Sequence, residues 1–264
     1  MENLRFATLL APQLRPLYAA ATDAVGAALG VAATLTTGNY EGYLADRYDV
    51  AFICSLPYVM FERAGSVPAV PVAAPVLDDA RYGAAPVYYS DVIVNAASPF
   101  ESFGDLRARS WAYNEVLSQS GYGIIRYHLA RLGETGGYFK DVVRSGSHAS
   151  SLRMVAEGRV DGAAVDSHLL EVTLQTRPEL LQQLRIIDQL GPSTIQPVVV
   201  SQRVPSHVRD RIGEVLVNMH TLPPAATTLA AVAVARFVPV EPGSYDDVRA
   251  MVDTCEANNF TVLR

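Results

Sequence analysis

The sequence predicts an α/β protein built as two lobes on a discontinuous chain. Strand-like and helix-like segments alternate along its 264 residues, the signature of mixed α/β architecture. The pattern resets near residue 87, and residues 90–190 form a βαβαβ-like set of their own. The segments on either side supply a second set. This places crossover strands near Tyr88 and near Ile195, with residues 1–88 and 192–264 in one lobe and 89–191 in the other. Ligands of such sheets are expected in the cleft between lobes, at the carboxyl ends of strands, where helix N-termini point.

The elements follow from local pattern. Residues 4–10 are a short apolar strand, and Pro12 and Pro16 lead into an Ala-rich helix at 17–29. Strands are expected at 31–35 and 48–54, the latter almost continuously apolar, as a buried parallel strand should be. A short helix at 57–63 precedes a Pro-rich extended run at 67–76. Beyond the reset come strands at 87–95 and 109–113, then a helix at 120–132 that Gly133 stops. A strand at 141–144, a helix at 148–157, a strand at 160–165 and a helix at 167–173 complete the middle set. Strands at 184–187 and 197–201 follow, with helices at 206–219, 224–235 and 245–257.

Composition narrows the function. Half the residues are hydrophobic and 18% are charged, as in a globular fold. The formal net charge is −6 and no Lys/Arg cluster stands out, which argues against nucleic acid or an anionic membrane as partner. Anions remain possible ligands, because backbone N–H groups and hydroxyls bind them without Lys or Arg. No stretch reaches the roughly 20 apolar residues of a membrane helix, so no direct membrane insertion is expected. Cys54 and Cys255 show no zinc spacing; Cys54 reads as a small buried hydrophobe, and pairing of the two is left open. The N-terminal MENLRFATLLAP has no cationic stretch followed by an apolar run and a cleavage site. The chain as written is therefore expected in the cytoplasm, or outside it if an export signal was trimmed.

Three segments could carry chemistry. Tyr113-Asn114-Glu115-Val116-Leu117-Ser118-Gln119-Ser120-Gly121 follows a strand and opens a helix, and Ser118 and Ser120 are expected as N-caps. Two hydroxyls at the positive end of a helix make an oxyanion cradle, though Ser-x-Ser-Gly also serves as a plain capped loop. Ser145-Gly146-Ser147-His148 repeats the arrangement and brings a histidine to a helix start, where it can donate to an anion or simply support the cap. The strand at 160–165 ends in Asp166, Ser167 and His168, with Asp166 either at the ligand or capping the next helix. Ser118, Ser120, His148 and Asp166 invite a hydrolase reading, but no G-x-S-x-G elbow exists. Gly-rich nucleotide loops are missing too, and no cofactor or metal is expected. Asp46, Asp49 and Asp161 read as turn residues or solvated charges, and Trp111 as packing.

Together these segments resemble the phosphate/phosphite/phosphonate-binding proteins of ABC transporters, within the type 2 periplasmic binding protein fold. The matching stretches are Pro86-Val87-Tyr88-Tyr89-Ser90, Val92-Ile93-Val94-Asn95, Ser118-Gln119-Ser120-Gly121, Gly146-Ser147-His148 and Val160-Asp161, in the family's order and spacing. The resemblance implies that the family's Ser-Thr-Ser anion trio falls on Ser118, Gln119 and Ser120, with Gln in place of the central Thr. It places the family's histidine at His148 and its two anion-contacting tyrosines at Tyr40, within Gly38-Asn39-Tyr40-Glu41-Gly42, and at Tyr88. Members that bind aminoalkylphosphonates set two carboxylates against the ammonium, and those positions are His168 and Gln196 here. The resemblance thus implies a monomeric solute-binding protein that closes around a small oxyanion without breaking a bond, with an ABC permease as partner. The alternatives are a cytoplasmic lyase or synthase of the same fold using His148 or His168 as acid/base, and a ligand-sensing module.

Overall fold

The computed structural model describes residues 3–66, 68–134 and 136–263. They divide into two units: residues up to Val87 with Thr194–Asp246, and Tyr88–Ser193 with the residues from Asp247 on. The expected extended run at 67–76 begins at Val67, which lies outside the described residues, as do the first two residues of the N-terminal stretch.

In the first unit the chain runs β1 (Asn3–Thr8), α1 (Arg15–Leu29), β2 (Ala32–Thr37), α2 (Tyr40–Leu44), β3 (Val50–Phe52), α3 (Ser55–Arg63) and β4 (Ala69–Leu77). Pro16 sits in the first turn of α1, where its missing N–H costs nothing. Gly30, left-handed at φ 65°, ends that helix and returns its N–H to the Ala27 and Gly26 carbonyls. The chain enters the second unit on β5 (Val87–Asn95) and continues through β6 (Ser110–Tyr113), α4 (Ile124–Arg131), β7 (Asp141–Arg144), α5 (His148–Ala156), β8 (Gly162–Asp166), α6 (Ser167–Thr176) and β9 (Leu184–Thr194). It returns to the first unit for β10 (Val198–Ser201), α7 (Ser206–Asn218), α8 (Pro223–Ala231) and β11 (Val234–Pro239), and ends in the second on α9 (Asp246–Ala257).

Each unit is built on one mixed sheet. The first has the order β11-β4-β10-β3-β1-β2 and the second β7-β6-β8-β5-β9. In both, the strand that follows a crossing between units is inserted antiparallel: β10 beside β3 and β4, and β5 beside β8. The strands β6, β7 and β8 run parallel, so their carboxyl ends share one edge of the sheet. Alternation along the strands sorts the second unit's core onto two faces. Val92, Val94, Trp111 and Ala164 join one cluster, while Ile93, Ala112, Ala163 and Val165 join the other. Trp111 is a packing residue, stacked on Phe139 at a centroid distance of 4.7 Å.

Several elements differ from expectation. The helix expected at 224–235 stops at Ala231; Ala233 turns left-handed at φ 52°, and β11 follows as an edge strand. The strand expected at 184–187 runs on to Thr194. The C-terminal stretch does not stay with the first unit. From Asp247 it packs on the second, because Met251, Phe260 and Leu263 complete that unit's core. Asp49 is not solvated, while Asp161 is a half-buried bend residue. Asp49 is buried and held by the guanidinium groups of Arg5 and Arg203. Asp161 accepts hydrogen bonds from the backbone and the hydroxyl of Ser110, joining the starts of β6 and β8. Cys54 and Cys255 are free, and they fall in different units.

Candidate anion-binding site

The three parallel strands of the second unit each end in one of the segments singled out in the sequence. After β6, Ser118 caps the next turn, its hydroxyl oxygen accepting from Gly121 N at 3.1 Å. The turn at Gln119–Gly123 is π-helical, with Gly123 N reaching back to the Ser118 carbonyl at 2.9 Å. Wide turns of this kind often mark functional positions. Ser120 is therefore not a second cap, contrary to expectation. Its hydroxyl instead lies 3.1 Å from His148 Nε2, at the start of α5. Ser147 caps α5 by accepting from Ser150 N at 3.1 Å. After β8, Asp166 caps α6 by accepting from Leu169 N at 3.1 Å. The cap readings of Ser118 and Asp166 thus hold alongside any role at a ligand.

The backbone is drawn tight here. A Cβ on Gly121 would fall 1.9 Å from Asn114 Oδ1 and 3.3 Å from His148 Cε1, so only glycine lets the helix start approach these two side chains. The buried Asn114 Oδ1 and His148 Nδ1 have no hydrogen-bond partner among the described residues. Buried polar atoms are rarely left so, and those that are call for a specific explanation. Burial pushes the His148 imidazole down from its ordinary 6.5 to about 4, while the charge of Asp166 pulls the other way. His148 is thus neutral at pH 7, one ring nitrogen donating and the other accepting.

The remaining expected site residues are divided between the two units. Tyr88 is buried at the start of β5, and His168 is buried on α6 at 1% exposure. Tyr40 and Gln196 are partly exposed and belong to the first unit, with Tyr40 opening α2 and its ring edge-on to Phe61. Sequence reasoning missed Asn114 and the tight approach of Gly121. A glycine inside a predicted helix start was the available signal. A groove of about 450 Å³ elsewhere on the second unit, lined by Ile124, His128, Arg131, Asp188, Leu190 and Met251 among others, includes none of the cradle residues. Among the described residues no cluster of three metal-ligating side chains occurs, and no helix is long and apolar enough to cross a membrane.

Two mixed sheets, each with an inserted antiparallel strand, and a polar cradle at the strand ends define a two-lobed periplasmic-binding-protein fold. Solved structures share it. A binding protein component of an ABC phosphonate transporter from Pseudomonas aeruginosa matches with a TM-score of 0.84 at 18% identity, covering 98% of this chain and 88% of that one. A Prochlorococcus marinus protein in complex with methylphosphonate matches at 0.83 and 16% identity, covering 97% and 98%. The chain belongs to the family described as the periplasmic substrate-binding protein of phosphonate ABC transporters, which matches over residues 8–245. The phosphonates-binding periplasmic protein of Escherichia coli is 26% identical over 207 residues, 76% of this chain. This chain spans 59% of that relative's length.

Proposed function

We propose that this protein captures a small phosphorus oxyanion, such as phosphate, phosphite or an alkylphosphonate, and presents it to an ABC permease. One observation carries the reading most: Ser120 and His148 meet at 3.1 Å, while His148 Nδ1 and Asn114 Oδ1 beside them are buried without protein partners. The Ser118 hydroxyl, its oxygen already engaged by Gly121 N, keeps its proton for a ligand. The N–H groups that a helix start leaves without intrahelical partners complete an anion cradle. A tautomer in which His148 Nε2 accepts from Ser120 leaves Nδ1–H to donate to the anion. Asn114 Oδ1 suits an oxyanion that retains one P–OH proton.

A serine and histidine at this distance also resemble a nucleophile and its base. Such a base needs a third group on its other nitrogen, and His148 Nδ1 has none. The family is one of binding proteins rather than enzymes, so the lyase alternative falls away.

The sequence resemblance supports reading His168 and Gln196 as the positions where aminoalkylphosphonate binders carry carboxylates, and Tyr40 and Tyr88 as the family's anion-contacting tyrosines. An ammonium group would forgo charge-assisted hydrogen bonds of about 1.5–3 kcal/mol each. Competition of 2-aminoethylphosphonate against methylphosphonate, followed by calorimetry, tests the selectivity. Methylphosphonate is expected to win, and tighter binding of the amine would refute it.

A further inference from the structure

The side chain of Gln119 has its own geometry within the cradle. It is 1% exposed, and its Nε2 lies 3.1 Å from Ser193 Oγ and 3.1 Å from Met251 Sδ. Ser193 Oγ and Met251 Sδ are in turn 3.8 Å apart, which closes a buried triangle. An amide nitrogen brings two protons, and a hydroxyl and a thioether both accept. Ser193 is the last residue of β9 before the chain leaves the second unit, and Met251 lies on α9, where the chain has returned to it. All three residues belong to the second unit.

We infer that Gln119 is a positioning residue for the anion, its side chain fixing the Ser118–Ser120 turn by gripping Ser193 and Met251. The inference rests on the anion reading above and adds residues that reading does not use. Binding geometry must be held to within about 0.5 Å, which depends on the shell behind the contacts. The turn is π-helical and has looser backbone geometry than an α-helix, so it gains most from a side-chain anchor at its first position. Ser118 and Ser120 flank Gln119, so one buried anchor fixes the backbone carrying both hydroxyls.

The test uses Ser193→Ala combined with Met251→Leu, which removes both acceptors while roughly keeping volume, and it leaves Ser118, Ser120 and His148 intact. Methylphosphonate affinity is measured by calorimetry alongside thermal unfolding of the ligand-free protein, in the parent and in a Gln119→Leu background. The expected result is about tenfold weaker binding in the double variant, with less than twofold further loss once Gln119 is already Leu. Ser193→Thr, which keeps a hydroxyl, should hold affinity within about twofold of the parent. Affinity within twofold of the parent in the double variant, even with a lowered melting temperature, would make the triangle purely structural and overturn the inference. Equal losses in the two backgrounds would overturn it as well. A parent that binds methylphosphonate while its variants do likewise sinks only the positioning role; a parent that binds no phosphorus oxyanion sinks the functional reading itself.

Discussion

At the scale of single residues, the cradle separates groups that serve the helix from groups left for a ligand. On the proposed reading Ser118 does both, so Ser118→Ala should cost about 1 kcal/mol of stability from the lost cap and weaken anion binding as well. Among the described residues the Ser120 hydroxyl reaches only His148, so Ser120→Ala should weaken binding with little change in unfolding temperature. Denaturation and calorimetry on the two variants separate the effects. His148→Ala removes one charge-assisted donor, worth about 1.5–3 kcal/mol, and should weaken binding roughly tenfold to a hundredfold. The histidine also sets a pH dependence. Unfolded, His148 takes up a proton below its ordinary 6.5, but folded it stays neutral down to about 4. The unfolded state therefore binds more protons in that window, and stability falls as pH drops from 6.5 toward 4, by at most about 3 kcal/mol. Urea titrations of the parent against His148→Asn should show a shallower decline in the variant.

At the scale of elements, the chain's end matters more than its position suggests. Arg126 donates to the Phe260 carbonyl at 3.0 Å, and Leu263 N donates to the hydroxyl of Tyr122, inside the π-helical turn. Phe260 is buried in the second unit's core, so Phe260→Ala should cost about 3–5 kcal/mol by urea unfolding. The three strand-to-helix junctions were legible in the sequence, because Ser118, Ser147 and Asp166 are cap residues placed just before apolar-periodic stretches. The boundary between α8 and β11 was not. The Ala-rich run at 225–235 satisfies helix and buried strand alike, and the break falls at Ala233, a residue with no turn signature. The docking of α9 was likewise hidden. An amphipathic helix shows that it has an apolar face, and nothing in its pattern says which core will cover it. The role of Gln119 was hidden for a related reason: its partners lie 74 and 132 residues away in the chain.

At the scale of the whole molecule, the proposed role is that of a binder whose ligand is held and released unchanged. A ligand that binds only the folded state adds stability by mass action, about 2.7 kcal/mol at a hundredfold excess over Kd. Millimolar methylphosphonate should therefore raise the melting temperature of the parent and much less that of His148→Ala. The most direct measurement is titration calorimetry of the ligand-stripped protein with phosphate, phosphite, methylphosphonate and 2-aminoethylphosphonate, with mass spectrometry of the recovered ligand. One-to-one binding of at least one of the first three, recovered intact, is expected, with weaker binding of the amine. No heat from any phosphorus oxyanion, or recovery of a chemically altered one, would contradict the proposed role.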